Sequence, residues 1–246
     1  MTTKIFKYPD TNSSRAGIAE LNSKFEGMKI AIVGVGGTGS FILDLVSKTH
    51  VSEIHIYDGD EFQMHNAFRA PGACSEEIFD PNGNLKKVNY YTDIYSKLRF
   101  GVIPHSVYID ESNINELKEY DFVFISVDKN KVRSFITKEL LKLNVPFIDV
   151  GMGLKKRGDQ LLGSVRVTMG TNEFSEHLKD RIGSEEFAEN EYATNIQIVD
   201  LNCFNASLAV IRWKKFVCFY QDDKQEHNSL YFTNTSKLLN EDFNNI

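Results

Sequence analysis

The stretch "IAIVGVGGTGS", residues 30 to 40, constrains this chain more than any other. Four apolar residues, Ile30 to Val33, run directly into Gly34-Val-Gly36-Gly37-Thr-Gly39. Such a run suits a strand buried on both faces. The glycines suit the turn that follows it. Gly34 permits the tight bend, Gly36 lets backbone approach a phosphate, and Gly39 lets helix and strand pack closely; Gly37 belongs to the same turn. Backbone N–H groups at the start of the next helix would face that phosphate. Helix "GSFILDLVSKTH" and strand "EIHIYD" then complete a βαβ unit of about 30 residues. Asp58 ends the second strand, 19 residues past Gly39. A carboxylate there accepts hydrogen bonds from a ribose hydroxyl.

Ribose and phosphate are shared by NAD and ATP, so the turn and its acid do not choose between them. The rest of the chain sets the fold around them. A short helix is expected over "RAGIAELNSKF", with Ile18, Leu21 and Phe25 on one face, after an irregular stretch over residues 1–14. Residues 59–84 read as a long loop with turn signals in "APGA" and "DPNGN". Helices are expected over 86–99, around 114–120 and over 129–144. Strands are expected over 101–109, 121–128 and 146–153. This alternation predicts a doubly wound α/β fold with a mostly parallel, Rossmann-like sheet. After about residue 160 the pattern changes. Strand 162–169 begins an antiparallel extension, 171–194 reads as a mobile loop or crossover, and 195–216 as a long helix. On that helix Ile196, Val199, Cys203, Ala206, Val210, Trp213 and Phe216 share a face. One more strand-like piece, "SLYFT", lies in a polar tail. The whole chain, 1–246, is read as one domain, with a nucleotide-binding core over 15–160 and an extension over 161–246.

Residues beyond Asp58 carry more information. "YDGDEFQMHNAFRAPGA" supplies Asp60, Asn66 and Arg69, and "LKKVNYY" supplies Lys86 and Lys87. A guanidinium beside a nucleotide-binding strand can clamp polyphosphate through two parallel hydrogen bonds. A lysine adds a compact second charge. "VDKNKVRSF" puts Asp128 at the carboxyl end of a buried strand, the edge where doubly wound sheets bind ligands. A carboxylate there can hold magnesium on phosphate oxygens. Each residue alone has a plainer reading: a turn side chain, a surface ion pair, a solvated helix face, a helix cap. A dehydrogenase needs the ribose acid but not this basic and acidic set around the phosphate end. Nucleotidyl transfer does need it, because positioning and charge neutralisation do most of the work in phosphoryl chemistry.

The ordered set Gly-x-Gly-Gly-x-Gly-Ser, Asp-x-Asp, Asn-x-x-Arg, Lys-Val and Asp-x-x-x-x-Arg resembles the ThiF/MoeB/HesA family, relatives of the ubiquitin-activating enzymes. The resemblance covers roughly residues 15–170. "SSRAGI", "HNAFRAPGA", "FIDVGMGL" and "EYATNIQIVDLN" resemble the branch that accompanies bacterial ubiquitin-like systems. It implies adenylation by MgATP of the C-terminal carboxylate of a ubiquitin-like protein ending in glycine. It implies that Asp58 holds the ribose, that Asn66, Arg69 and Lys87 hold phosphates, and that Asp128 binds magnesium. Lys87 is preferred to Lys86 because Val88 follows it. Arg15 matches an arginine that reaches the γ-phosphate of a partner subunit's ATP, which implies a homodimer. A conjugating enzyme is a further implied partner.

Composition excludes other classes. The net charge of −6 argues against a nucleic-acid binder. No run of 18 apolar residues suggests a membrane span, and no N-terminal apolar stretch reads as a signal peptide. Cys74, Cys203 and Cys218 are too few and too scattered for a disulfide framework or for paired Cys-x-x-Cys zinc ligands. A cytoplasmic, zinc-free protein is therefore expected. Cys203 and Cys218 are expected to be buried, leaving Cys74 as the one candidate thiol nucleophile. Two readings compete with adenylation: an NAD(P)-dependent oxidoreductase, and a non-catalytic module that binds a ubiquitin-like partner.

Overall fold

The computed structural model describes residues 4–79, 83–182 and 196–243. Among them one eight-stranded sheet runs in the order β3-β2-β1-β4-β5-β6-β7-β8. The strands are β1 (Lys29–Val33), β2 (Glu53–Tyr57), β3 (Val102–His105), β4 (Phe122–Ile125), β5 (Phe147–Arg157), β6 (Gln160–Gly170), β7 (Glu226–Phe232) and β8 (Lys237–Phe243). The first five pair in parallel. β6, β7 and β8 are antiparallel. The doubly wound sheet with an antiparallel extension is therefore what the chain adopts.

Alternation along β1 sorts the core. Ile30 and Ile32 join one cluster with Ile42, Val88, Phe124 and Trp213. This face is covered by α2 (Gly37–Val46), α4 (Lys87–Tyr95) and α7 (Val199–Phe216). Ala31 and Val33 face the other way, into a cluster with Ile136 and Leu140 of α5 (Asn130–Lys142). Helices on both faces leave the parallel strands fully buried, which is why they read as continuous apolar runs.

Several local expectations are corrected. The segment before β1 is not one helix over 15–25. Asp10 caps α1 (Thr11–Ala16) by accepting from the Ser13 N–H, and Gly17 ends it in the left-handed region at φ +67°. A 3-10 turn, Ala19–Phe25, follows. β5 extends to Arg157 and folds back on β6 through Gly158-Asp159, so the extension starts from β5 itself. The tail forms two strands, not one. Within 171–194, residues 183–194 lie outside the described residues, and in the rest α6 (Leu178–Arg181) is helical.

At the open edge, His55 Nδ1 and His105 Nε2 lie 2.9 Å apart, and Glu53 takes the other nitrogen of His55 at 3.1 Å. Burial, then the neighbouring His55, pushes the His105 pKa down against the pull of Glu116. Below about pH 6.5, the ordinary imidazole value, the unfolded chain binds a proton that the folded one resists. Stability therefore falls as pH drops through this window, towards the depressed folded value. His105→Asn is expected to flatten that acid limb, read as urea midpoints against pH. An unchanged slope would show that another group controls it.

Candidate functional site

The glycine turn has the geometry its sequence promised. Gly34 sits at φ +87°, and a Cβ there would strike the Ser126 carbonyl in the turn after β4. A Cβ on Gly39 would collide with the Gly34 carbonyl oxygen. Gly36 is the N-cap of α2, and a Cβ there would meet open space. Backbone at that point is accessible to a phosphate.

Asp58 follows β2 and is 7% exposed. Its Oδ2 accepts from the Val35 N–H at 3.0 Å and its Oδ1 from the Asp60 N–H at 2.9 Å. The carboxylate thus locks the end of β2 to the turn after β1. It keeps lone pairs for a further donor. Burial raises its pKa against Lys87 and these two N–H groups.

Beside the turn lies a cavity of about 410 Å³, lined by Asp60, Asn66, Arg69, Lys86 and Lys87 among others. Lys87 is the first residue of α4 and is 6% exposed, not on a solvated face. Its Nζ lies 2.7 Å from Asp60 Oδ2 and 3.6 Å from Asp58 Oδ1. Lys86 turns instead to the Gly59 carbonyl, donating at 2.9 Å. Partial burial works against the charge of Asp60, but Lys87 and the Tyr108 hydroxyl hold its pKa below the ordinary carboxylate value. Asn66 ends its side chain in a reciprocal cap with Gln63 on the short helix α3 (Met64–Ala67), which fixes the loop carrying Arg69. The Arg69 Nε is buried with no hydrogen-bond partner. Desolvation lowers the Arg69 pKa. A half-buried guanidinium with an unmet donor fits an anion. His65, exposed on α3, lines this cavity too; partial burial, with Arg69 and Lys87, lowers its pKa.

Asp128 is exposed in the turn between β4 and α5, and its charge reaches Arg69. The cap of α5 is Lys129, so the Asp128 carboxylate is not used as a helix cap. Arg133 fixes this turn by donating to the Val127 carbonyl at 2.6 Å, and it pairs with the buried Asp149 at 3.0 Å. The structure therefore gathers Asp58, Asp60, Asn66, Arg69, Lys87 and Asp128 at the carboxyl edge of the sheet. It does not bring Arg15 to them. Arg15 is exposed on α1, whose cap Asp10 bonds His50 at 3.1 Å, beyond the far end of α2.

Sequence reasoning missed the amides of α7. Asn202 is fully buried, accepts from Thr38 Oγ1 at 2.9 Å and donates to the Arg69 carbonyl at 3.3 Å. A Cβ on Gly37 would strike Asn202 and Gln197. Asn205 donates to the Gly151 carbonyl at 3.0 Å. The buried stripe of α7 therefore centres on Asn202, Asn205, Ala206, Ala209 and Trp213. The expected stripe is correct at Ala206, Val210 and Trp213, but Val199, Cys203 and Phe216 are exposed. Cys218 is exposed too, so the expectation that both cysteines are buried is overturned. The helix lies over the start of α2 and beside β5, and its amides answer the Thr38 hydroxyl and the carbonyls of Arg69 and Gly151, which apolar side chains could not do. The sequence signal was there, as two asparagines at i, i+3 in a helix read as apolar.

Residues 13–243 match the ThiF family, and the chain belongs to it. Over 132 residues it is 27% identical to the tRNA threonylcarbamoyladenosine dehydratase of Bacillus subtilis (strain 168), a match covering 53% of this chain and 50% of that protein. The matched part spans about half the length of that relative. Among solved structures, E. coli MccB with MccA superposes with a TM-score of 0.71 at 16% identity, covering 97% of this chain and 73% of that one. E. coli MccB with ATP gives 0.68 at 15%, covering 96% and 72%. PaaA gives 0.68 at 15%, covering 97% and 76%. At these identities the likeness is one of fold.

Asn202→Ala removes two buried hydrogen bonds and uncovers Gly37. It is expected to lower the unfolding free energy by about 1–3 kcal/mol, measured by urea titration. A smaller loss would show that water replaces the amide.

Proposed function

We propose that this ThiF-family chain catalyses ATP-dependent adenylation of a carboxylate on a protein or peptide partner. A carboxylate oxygen attacks the α-phosphorus of ATP. The bond from that phosphorus to the oxygen linking the α- and β-phosphates breaks, that oxygen leaves as a terminal oxygen of pyrophosphate, and the products are an acyl-adenylate and pyrophosphate. No general base is required, because the nucleophile is already ionised near neutral pH. The observation that carries this reading is the juxtaposition of Arg69, with its buried unmet Nε, and the buried Lys87 ammonium beside an open glycine turn. Charge growing on the leaving pyrophosphate would be met by both cations, and the ribose by Asp58. Lys87 would exchange its Asp60 partner for phosphate oxygens.

Asp128 is the residue to hold magnesium. Among the described residues no group of three or more His, Cys, Asp or Glu could enclose a metal. Magnesium needs no such cage, since one carboxylate, phosphate oxygens and water complete its shell. When bound, it would neutralise charge on the phosphates. The sequence resemblance supports a ubiquitin-like protein ending in glycine as the substrate, a conjugating enzyme downstream, and a homodimer in which Arg15 serves the partner subunit. An MccB structure includes MccA and another includes ATP, which supports a peptide-like substrate and this nucleotide. An NAD(P)-dependent reading accounts for the turn and Asp58 but leaves the basic cavity without a role.

Pyrophosphate exchange into ATP tests this. Magnesium and candidate ubiquitin-like proteins ending in glycine are supplied one at a time to wild type and Arg69→Ala. Exchange that requires one candidate and falls by about 10²–10³ in Arg69→Ala is the expected result. Exchange indifferent to Arg69→Ala would contradict it. A partner bound equally with and without ATP, in the absence of exchange, would favour the non-catalytic module.

A further inference from the structure

Tyr108, just past the end of β3, is 62% exposed. It is nonetheless held in place. Its hydroxyl donates to Asp60 Oδ1. Its ring lies against Gly59, where a Cβ would run into three ring carbons. Its carbonyl accepts from Asn113 Nδ2 at 2.8 Å. The hydrogen bond to Asp60, with burial and the charges of Asp58 and Asp128, raises its pKa to about 12. The phenol therefore stands within reach of acids from both loops that flank the glycine turn. The strand order explains this: β2 and β4 lie on either side of β1, so the loops after them bound the cleft at its carboxyl end. On one side of Asp60 is the basic cavity; on the other is this aromatic ring.

We propose that Tyr108 is the platform on which the purine base of the nucleotide stacks, with its ribose at Asp58 and its phosphates at Arg69 and Lys87. The inference rests on the adenylation reading and adds to it the residue that recognises the base. Gly59 supplies the seat, since a side chain there would displace the ring. The hydroxyl bond to Asp60 sets the ring's angle before the nucleotide arrives, which lowers the ordering cost of binding. An exposed aromatic face beside a ribose acid suits a purine, whose π-face stacks without demanding a hydrogen-bond pattern.

The test is calorimetric binding of MgATP and of inorganic tripolyphosphate, which has no base, to wild type, Tyr108→Ala, Tyr108→Phe and Arg69→Ala. Stacking predicts that Tyr108→Ala weakens ATP about tenfold while leaving tripolyphosphate within about twofold, and that Tyr108→Phe holds ATP within about threefold. Arg69→Ala should weaken both ligands. Unchanged ATP affinity in Tyr108→Ala, where wild type binds ATP and Arg69→Ala does not, overturns the platform and leaves the adenylation reading standing. Equal losses of ATP and tripolyphosphate in Tyr108→Ala also overturn it, since the ring would then act through Asp60 and Lys87. A wild type that does not bind ATP overturns both readings.

Discussion

The close approach of Gly39 to the carbonyl of Gly34 is the contact on which the rest of the molecule depends. It brings the start of α2 down onto the end of β1, with no room for a side chain between them. From there the neighbours fall into place. The Val35 N–H meets Asp58 and ties β2 to the turn. The Ser126 carbonyl crowds Gly34 and sets the loop that carries Asp128. Asn202 closes over Gly37 and Thr38 and reaches on to the Arg69 carbonyl. One backbone contact thus aligns three loops from different parts of the chain.

The electrostatics of the cavity follow from burial. Lys87 is almost fully enclosed, and an enclosed ammonium needs a partner. Asp60 supplies one at 2.7 Å, with Asp58 behind it. Arg69 is less completely answered, because its Nε is buried without an acceptor. The cation set is thus in place and only partly compensated. A polyanion entering the cavity would meet donors already oriented, so little rearrangement would be needed when charge moves onto the leaving group. Asp60 joins the two halves of the site: one oxygen serves Lys87 and the other Tyr108.

The parallel core was legible because burial on both faces leaves an unmistakable apolar run, and because glycine, unlike any other residue, fits the turn. Asp58, Asn66, Arg69, Lys87 and Asp128 were legible by their order, and the structure gathers them at one edge. What stayed hidden depends on long-range contacts. The amides of α7 are buried because that helix crosses the start of α2, more than 160 residues away along the chain for the Thr38–Asn202 pair. Periodicity alone assigned the apolar side inward and so misplaced Val199, Cys203 and Phe216. Tyr108 gave no signal, because nothing in its local sequence shows that Gly59 would seat its ring. The helix expected over 15–25 failed at Gly17, whose left-handed backbone ends α1 where an apolar spacing continued.

The most direct test of the central claim is the thermal unfolding midpoint with MgATP, with magnesium pyrophosphate and with NADH, each in excess. A ligand that binds only the folded chain raises the midpoint in proportion to the logarithm of its concentration over its dissociation constant. The account predicts the largest rise with MgATP and smaller rises with pyrophosphate and with NADH, which shares only its ADP part with the preferred ligand. A rise with NADH and none with MgATP would contradict it and return the glycine turn to nicotinamide chemistry.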